Sequence, residues 1–300
     1  MRERRKTMFI ADGWKDYRVL DTGDGMKLES WAGVTLARPD PQVIWEKQRP
    51  ELWKKAAASY ARSHTGGGHW DFFRELPERW TVSYGDLSFY VRPTGFKHTG
   101  LFPEQSANWD FMEEKIRRAG REGRVLNLFA YTGGATLACA AAGASVTHVD
   151  AAKSMVAWAK ENAALSGLSG RPIRYIVDDC MKFVLREQRR GRTYDGILMD
   201  PPSYGRGAGG QVWKVEEDLC GLVAEAAKLL SDHPLFFIIN SYTTGLSAVV
   251  TENLLNACVT SRYGGHVEAD NLVIAPVMIG CLVFTLIPFG IVLRYSCRCV

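Results

Sequence analysis

The 300-residue sequence lacks a strong excess of either charge, since 37 Lys and Arg residues stand against 33 Asp and Glu residues and the net charge is +4. Charged residues make up 23% of the chain and apolar residues 46%, which is an ordinary globular composition. This composition excludes a mostly disordered chain, a collagen-like fibre and a coiled coil. The whole positive surplus lies within residues 1–100, which is weak evidence for a polyanionic partner.

Cysteine and histidine motifs are also missing. The seven cysteines are odd in number and form no CxxC pair, which argues against a disulfide framework and a structural zinc site. The six histidines are scattered, and only His64 and His69 lie close together, so we expect no metal site. The basic start of the chain has no apolar segment behind it, so we expect no signal peptide and a cytoplasmic location.

One long uncharged run, residues 271–293, has the length of a membrane span. Two prolines and two glycines interrupt it, and Ile287-Pro288-Phe289-Gly290 is typical of a turn. The run therefore predicts two buried strands, over about residues 278–286 and 291–295, and no membrane association.

The N-terminal third reads as a small β-rich accessory domain, residues 1–95. Short strands are predicted over residues 8–45, a helix over 46–62, and a hairpin over 79–92 around Gly85-Asp86. Six of the nine tryptophans precede residue 81. We expect most of them to fill a small core, although exposed ones could stack on bases.

From about residue 110 the pattern changes to apolar strands alternating with helices. Strands are predicted at residues 125–129, 145–149, 173–177, 194–199 and 235–239, with helices at 134–142, 152–166, 180–189 and 214–230. This order implies an α/β fold with a mostly parallel sheet and helices on both faces, here assigned to a domain of residues 96–300. Such sheets bind ligands at the carboxyl ends of their strands.

The first two strand ends carry groups suited to a nucleoside. The first runs through Asn127 to Gly134 with the sequence NLFAYTGG, which is not the GxGxxG of dinucleotide sites. The second ends at Asp150, 21 residues past Phe129, where an acid can accept hydrogen bonds from both ribose hydroxyls. Asp150 could equally begin the next helix as its N-cap. Together the two ends indicate an adenosine-containing ligand.

The third and fourth strand ends add three acids. Asp178 and Asp179 follow the third strand, where a carboxylate can accept an adenine amino proton or cap the next helix. The fourth end reads Asp200-Pro201-Pro202-Ser203-Tyr204. Its two prolines stiffen the backbone, which holds a carboxylate near an aromatic ring. A flipped-out base with an amino group needs such an acceptor and stacking face.

With these motifs in place, the chain resembles class I S-adenosylmethionine-dependent methyltransferases. Within that class it is most similar to the large-subunit ribosomal RNA methyltransferase group, which includes cytosine carbon-5 and guanine N7 enzymes. The matching pieces are Phe102–Gln105, Val125–Gly134, Val149–Asn162, Val177–Phe183 and Asp200–Tyr204. The resemblance implies a Rossmann-like, mostly parallel, seven-stranded methyltransferase sheet, S-adenosylmethionine as cofactor, and ribosomal RNA as partner.

The resemblance also implies roles for individual residues. The cofactor pocket would be lined by Gln105, Tyr131, Thr132 and Gly133. Asp150 would hold the ribose. That loop would be supported by Ser154 and Asn162, and the adenine would meet Asp179 rather than Asp178. Asp200 would face both the methionyl end of the cofactor and the substrate, and Tyr204 would stack on the base or wall the pocket, so these two are the expected catalytic residues.

The chain departs from this group at three places. Carbon-5 methylation needs a cysteine nucleophile after the fifth strand, but the segment reads Ile239-Asn240-Ser241-Tyr242-Thr243, so we expect a different chemistry. The two arginines of a DQRxNR-type motif are absent from Glu104–Trp109. The tail from about residue 275 matches no family ending. Gly205–Gly210 is expected to form a mobile loop, with Arg206 near phosphate, or simply a solvated one.

Methylation of a nucleobase in ribosomal RNA is therefore the leading hypothesis. A protein side chain or a small molecule as methyl acceptor is the first alternative. A nucleotide-dependent oxidoreductase of the same topology is a second, and a non-catalytic RNA-binding module a third. The missing GxGxxG motif and the Asp-Pro-Pro turn argue against the oxidoreductase. The sequence gives no oligomeric state.

Overall fold

The computed structural model describes residues 8–63, 67–206, 212–243, 246–274 and 287–297. Contacts within the chain group the described residues into two compact units. The larger unit draws on residues 1–9, 107–272 and 289–300, and the smaller on residues 10–106 and 273–288. The division into domains at residues 95 and 96 stays a prediction.

The N-terminal region is rich in strands, as predicted. Its elements are β1 (Phe9–Ala11), β2 (Tyr17–Gly23), β3 (Met26–Trp31), β4 (Val34–Pro39), α1 (Pro50–Trp53), β5 (Ala58–Arg62), β6 (Gly68–Phe72), β7 (Trp80–Tyr84) and β8 (Leu87–Val91). Strands β2 to β6 form a five-stranded sheet in chain order, in which only the β4–β5 pair is parallel. Strands β7 and β8 form the predicted hairpin, with Gly85 at φ 55°.

The helix predicted over residues 46–62 is wrong. A single turn, α1, begins at Pro50, a residue that suits the first helical position, and ends at Trp53. The alanine-rich segment after it forms β5, which pairs with β4 and β6. Ala58 is fully buried there, so tertiary packing overrides the high helix propensity of alanine.

Five of the six tryptophans of this region are half-buried, so the expectation that most of them fill the core is met only in part. Trp31 is fully buried, and the indole N–H groups of five others donate hydrogen bonds within the smaller unit, namely Trp14, Trp45, Trp53, Trp70 and Trp80. The large aromatic side chains exposed there are phenylalanines, Phe72, Phe73 and Phe96. If bases stack on this unit, the candidates are these phenylalanines rather than the tryptophans.

The rest of the chain alternates strands and helices at nearly the predicted places. After a 3₁₀ turn at Pro103–Gln105 come α2 (Ser106–Arg118), β9 (Arg124–Leu128), α3 (Gly134–Ala141), β10 (Ser145–Asp150), α4 (Lys153–Leu165), β11 (Ile173–Val177), α5 (Cys180–Arg189) and β12 (Gly196–Met199). Then follow β13 (Tyr204–Arg206), β14 (Val212–Lys214), α6 (Val215–Ala227), β15 (Phe236–Ser241), α7 (Ala248–Leu255), a π-helical turn at Asn256–Thr260, α8 (Ser261–Tyr263), β16 (His266–Ile274) and β17 (Ile287–Ser296).

The main sheet confirms the predicted mostly parallel architecture. Its strand order is β1-β16-β17-β15-β12-β9-β10-β11, so the expected seven strands are present and the short β1 adds an eighth. Strands β11, β10, β9, β12 and β15 are mutually parallel, and β17 runs antiparallel to β15. The strands β12 and β15 are buried throughout, as expected of parallel strands covered on both faces.

The predicted strand over residues 291–295 is confirmed within β17, but the turn predicted at residues 287–290 is wrong. The backbone is already extended at Ile287, and pairing with β15 runs from Ile291 to Ser296. Pro288 lies before that ladder begins, so its missing N–H breaks no bond to β15. The strand predicted over 278–286 lies outside the described residues. No helix of the described ranges is long and apolar enough to cross a membrane.

Candidate functional site

The topology brings the four predicted strand ends to one edge of the sheet. Strands β12, β9, β10 and β11 are parallel neighbours in that order. Leu128 is paired with both Met199 and Val149, and Asp150 is paired with Val177. The segments that follow these strands therefore lie side by side, and they contain most of the residues assigned to the site.

The turn after β9 has an unusual backbone. Phe129 and Tyr131 adopt positive φ angles of 54° and 50°, a region that non-glycine residues seldom occupy. Two hydrogen bonds to β10 secure it, since Ala130 N–H donates to the Val149 carbonyl (3.0 Å) and Tyr131 N–H donates to Asp150 Oδ2 (2.8 Å). Neighbouring structure thus fixes a strained turn at the carboxyl edge of the sheet, and strained backbone is common at functional sites.

The two glycines of this turn are needed for packing. Gly133 has φ 90°, and a Cβ there would lie 2.9 Å from the Cβ of Ala159 on α4. A Cβ on Gly134 would lie 2.5 Å from the Trp109 ring of α2. Helix α3 therefore begins closely packed between two other helices, at positions where only glycine fits.

Asp150 joins the turn to the start of α4. Its Oδ2 accepts from Tyr131 N–H, and its Oδ1 accepts from Ala152 N–H at 2.8 Å. Burial raises the pKa of this carboxyl, although the two backbone donors oppose the shift. Each oxygen of a carboxylate can accept a second bond, so two ribose hydroxyls could be accommodated. The helix cap position itself is held by Ala152 rather than by Asp150.

Asn162 and Ser154 both lie on α4 but in different environments. Asn162 is fully buried, and its Nδ2 donates to the Thr132 carbonyl at 2.9 Å. It therefore holds the turn after β9 to α4, while its role at the cofactor stays a prediction. Ser154 is exposed in the first turn of the helix, and its supporting role stays a prediction.

The two acids after β11 have different partners. Asp179 is the N-cap of α5 and accepts from Lys182 N–H at 2.9 Å, so its capping role is realised. Asp178 accepts from Asp179 N–H at 2.9 Å and forms an ion pair with Arg186. The second carboxylate oxygen of Asp179 can still accept from another donor, so its contact with adenine stays a prediction.

The Asp200 turn is fastened on both sides. Three hydrogen bonds secure it: Trp213 Nε1–H to the Pro202 carbonyl (2.7 Å), Val215 N–H to the Ser203 carbonyl (3.1 Å), and Ser203 Oγ with Thr243 Oγ1 (2.6 Å). The Trp213 ring also contacts Phe129 of the first turn, with ring centroids 5.1 Å apart. These contacts couple the Asp200 turn to the β9 turn, so both present fixed groups at one edge.

Tyr204 and the segment after it form a small hairpin. The Tyr204 side chain is 53% exposed, which leaves its ring accessible to a base. Strand β13 pairs with β14 through Tyr204–Lys214, Gly205–Trp213 and Arg206–Val212. Of the predicted Gly205–Gly210 loop, residues 205 and 206 are therefore strand, and the rest lies outside the described residues.

Gln105 belongs to the smaller unit. It is buried at the end of the 3₁₀ turn Pro103–Gln105. Its assignment to the cofactor pocket stays a prediction.

Sequence reasoning missed the buried polar side chains beneath the strand edge. Asn127 on β9 donates to Thr136 Oγ1 at 2.9 Å, and Thr136 Oγ1 lies 2.9 Å from His148 Nδ1. All three are at most 3% exposed, and burial lowers the pKa of His148 to about 3, so the imidazole is neutral. An asparagine within an otherwise apolar strand, as in Arg124–Leu128, was the available signal.

Metal and thiol chemistry find little support among the described residues. No group of three or more His, Cys, Asp or Glu side chains in those ranges could hold a metal ion. The described cysteines are free thiols, and the carboxyl end of β15 carries Asn240 and Ser241. Cys180, which follows the third strand end, is buried, and burial raises the pKa of its thiol.

Comparison with known proteins gives a consistent result. The family model described as "S-adenosylmethionine-dependent methyltransferase" matches residues 66–254. The ribosomal RNA large subunit methyltransferase K/L of Shewanella baltica (strain OS195) is 38% identical over 153 residues, and that of Shewanella oneidensis is 37% identical over 153 residues. Each alignment covers 50% of this chain and 20% of the relative, so the chain spans about a fifth of those proteins.

Two solved structures share the fold. The S-adenosylmethionine-dependent methyltransferase from Agrobacterium tumefaciens superimposes with a TM-score of 0.90 and 37% identity, covering 97% of this chain and 93% of that one. The structure of SMU.776, complexed with S-adenosylhomocysteine, gives a TM-score of 0.69 at 18% identity, covering 95% and 76% respectively. The Agrobacterium structure extends the similarity to both units of the chain.

Proposed function

The chain belongs to the family of S-adenosylmethionine-dependent methyltransferases, and on that premise we propose that it methylates a nucleobase in ribosomal RNA. The chemistry is assigned to residues 96–300, with residues 1–95 as an accessory domain. A cytoplasmic location, where ribosomes work, belongs to the same proposal.

The β9 turn and Asp150 suit the cofactor of the family. The turn offers backbone groups at a strand edge where Gly133 packs closely on α4, and Asp150 presents two carboxylate oxygens, each bonded to one backbone N–H, beside it. In the proposal, Tyr131, Thr132 and Gly133 bind the cofactor, Asp150 holds its ribose, and Asp179 meets its adenine. Gln105 lines the pocket, while Asn162 and Ser154 support the turn.

The single observation that carries a base as acceptor is the stiff Asp200 turn, coupled to the β9 turn through Trp213 and Phe129. The cofactor supplies a reactive methyl group on its sulfonium, so the protein mainly has to align donor and acceptor. Asp200 accepts a hydrogen bond from the base and so fixes the position of the base edge. Tyr204, half-exposed beside it, stacks on the ring.

The groups at the strand ends do not favour a carbon-5 mechanism. That mechanism needs a thiolate to attack the pyrimidine ring. The β15 end carries an asparagine and a serine, and the nearest strand-end thiol, Cys180, is buried and held protonated.

Ribosomal RNA as the acceptor is supported by the relatives named for it, which match half of this chain. The surplus of positive charge in residues 1–100 is of the sign that a polyanion requires. RNA binding by this chain should therefore weaken as the salt concentration rises.

The test is transfer of labelled methyl from S-adenosylmethionine to undermethylated ribosomal RNA, ribosomal subunits and a protein extract, followed by nucleoside mass spectrometry. We expect label in RNA, and its loss in Asp200→Ala with cofactor affinity kept within about threefold, because Asp200 meets the base. Asp232→Ala, an exposed residue that precedes β15, is the matched control and should retain full activity. Label confined to protein, or a fully active Asp200→Ala enzyme, would reject the proposal.

A further inference from the structure

A buried chain of hydrogen bonds, here the amide relay, connects Arg294 on β17 through Asn108 on α2 to Asn240 on β15. Arg294 Nε–H donates to Asn108 Oδ1 at 2.9 Å, and Asn108 Nδ2–H donates to Asn240 Oδ1 at 3.0 Å. Asn108 and Asn240 are 1% and 2% exposed, and Arg294 is 8% exposed. The relay joins residues far apart in sequence, so only the folded larger unit assembles it.

The relay ends beside the Asp200 turn. Strands β12 and β15 are paired in register, with Met199 opposite Ile239. Asp200 and Asn240 are the next residues along the two strands, so their backbones lie at the same level of the strand edge. Asn240 is therefore the backbone neighbour of Asp200, the proposed catalytic residue, across the sheet.

Arg294 is anchored independently of the asparagines. Its Nη2–H donates to the Ala107 carbonyl at 2.8 Å, and its guanidinium lies over the rings of Phe9 and Phe111, 3.9 and 4.8 Å from their centroids. Burial lowers the pKa of Arg294 to about 10, opposed by Glu268 and Asp110, so the group keeps its charge at neutral pH. The start of the relay is thus a fixed, charged donor.

A donor-only group at one end gives the relay a direction. Arginine has no acceptor, so Asn108 must turn its Oδ1 towards Arg294 and its NH₂ group towards Asn240. Asn240 must then turn its own Oδ1 towards Asn108. The NH₂ group of Asn240 is consequently the half of its amide that points away from Asn108 on α2.

We propose that Arg294, acting through Asn108, is a positioning residue that sets the polarity of the Asn240 amide and so keeps a hydrogen-bond donor beside Asp200 at the strand edge. Together with Asp200, this donor helps to hold the edge of the methyl-accepting base in place for transfer. This consequence for catalysis rests on the proposed function. The polarity of the relay does not, and it can be tested separately.

The decisive variant is Asn108→Asp, which changes one NH₂ group to oxygen at nearly constant shape. The new carboxylate would still accept from Arg294 and would gain an ion pair with it, so the melting temperature should be kept or raised. Towards Asn240, however, it offers an acceptor, which reverses the Asn240 amide. We expect cofactor affinity within about twofold of wild type and kcat lowered about tenfold or more. A structural role alone would make activity follow stability.

Two further measurements complete the test. Asn253→Asp, the same change at an exposed site on α7, should leave kcat unaltered. Side-chain amide NMR of ¹⁵N-asparagine-labelled protein should show the Asn240 NH₂ signals displaced in both Asn108→Asp and Arg294→Met. If those signals stay in place, the relay does not set the amide and the proposal falls, whether or not RNA is the substrate. If they move while Asn108→Asp retains wild-type kcat, the positioning role falls.

Discussion

An ionic cluster in the smaller unit and the groups under the strand edge of the larger unit bury polar atoms in different ways. In the ionic cluster Glu29 accepts two bonds from Arg38, at 2.5 and 2.7 Å, and one from Tyr17 at 2.7 Å. Lys27 lies 3.6 Å from Glu29 and 3.8 Å from Asp40. Burial alone would raise the pKa of Glu29, but the charges of Arg38 and Lys27 and the hydrogen bonds lower it to about 2.

In the larger unit the groups buried under the strand edge are mostly neutral. Asn127, Thr136 and His148 form one hydrogen-bonded set, Asn162 holds Thr132, and the amide relay holds Asn240. Amides and hydroxyls carry both donors and acceptors, so a series of them specifies direction as well as contact. The ions of the smaller unit determine which residues pair. The amides of the larger unit also determine whether a donor or an acceptor faces the carboxyl edge of the strands.

The largest effect on stability is expected from breaking the ionic cluster. Glu29→Gln removes the charge that compensates buried Arg38, and loss of one partner of a buried pair costs about 3–5 kcal/mol of unfolding free energy. Cofactor affinity of the folded protein should change little, since Tyr131, Asp150 and Asp179, which are proposed to bind the cofactor, belong to the larger unit. Chemical denaturation and calorimetric titration of the cofactor measure the two quantities.

The control for that variant is Glu51→Gln, because Glu51 is an exposed carboxylate 3.8 Å from Arg49. An exposed pair contributes about 0–1 kcal/mol, so the control should unfold almost as wild type does. Equal losses for the two variants would contradict the contrast between the units.

The next largest effect is expected at the β9 turn, from Gly133→Ala. A positive φ costs a non-glycine residue about 1–2 kcal/mol, and the Cβ would meet Ala159 at 2.9 Å. Because the turn is proposed to bind the cofactor, we expect cofactor affinity to fall about tenfold or more, beyond the loss of stability. Gly143→Ala, with a φ of 102° but open space around its Cβ, is the matched control and should lose stability only. Unchanged affinity in Gly133→Ala would separate the turn from the cofactor.

The sequence predicted well which segments meet at the carboxyl ends of the strands, because those segments are local signals. Strand, turn and acid follow one another along the chain at Phe129, Asp150 and Asp200, and parallel pairing then places them together. The residues that hold these groups are different. Arg294 and Asn108 are 186 positions apart, and neither has a motif of its own, so the relay exists only after the sheet has formed.

Local signals also misled where pairing decides the structure. The alanine-rich segment before Arg62 has a helical composition, yet it forms β5 because β4 and β6 flank it. Pro288 indicated a turn, yet the chain there is extended and continues into the part of β17 that pairs with β15. Both errors arise from contacts distant in sequence, which composition does not reveal.

As the pH falls, both units should lose stability before Glu29 of the ionic cluster is protonated. Burial lowers the pKa of His148 in the larger unit to about 3, and burial with the charges of Arg38 and Lys97 lowers that of His98 in the smaller unit to about 3. The unfolded chain takes up these protons near pH 6.5, so stability present above that pH is lost as the pH falls. Each histidine should cost about 1 kcal/mol by pH 5.5.

Hydrogen exchange followed by mass spectrometry resolves the two units in this experiment. His148→Gln should flatten the pH dependence between pH 6.5 and 4.5 in peptides of the larger unit, and His98→Gln in those of the smaller unit. Exposed His233→Gln should change neither. Below the unfolded pKa of about 4.5, Glu29 should add its own loss in the smaller unit, since its folded pKa is about 2. A pH dependence that survives both buried variants would contradict this assignment.

The smallest effects are expected from the thiols of the larger unit. Cys180 lies directly after Asp179 at the ligand edge, but burial raises the pKa of its thiol, which leaves almost no thiolate to attack a base. Cys220 is exposed on α6. We therefore expect Cys180→Ala and Cys220→Ser each to retain methyl transfer within about twofold, with no 5-methylcytosine in the nucleoside mass spectrum of the product. Loss of transfer in Cys180→Ala at wild-type cofactor affinity would assign the reaction to a thiol and would overturn the view that carboxylates and amides alone serve this edge.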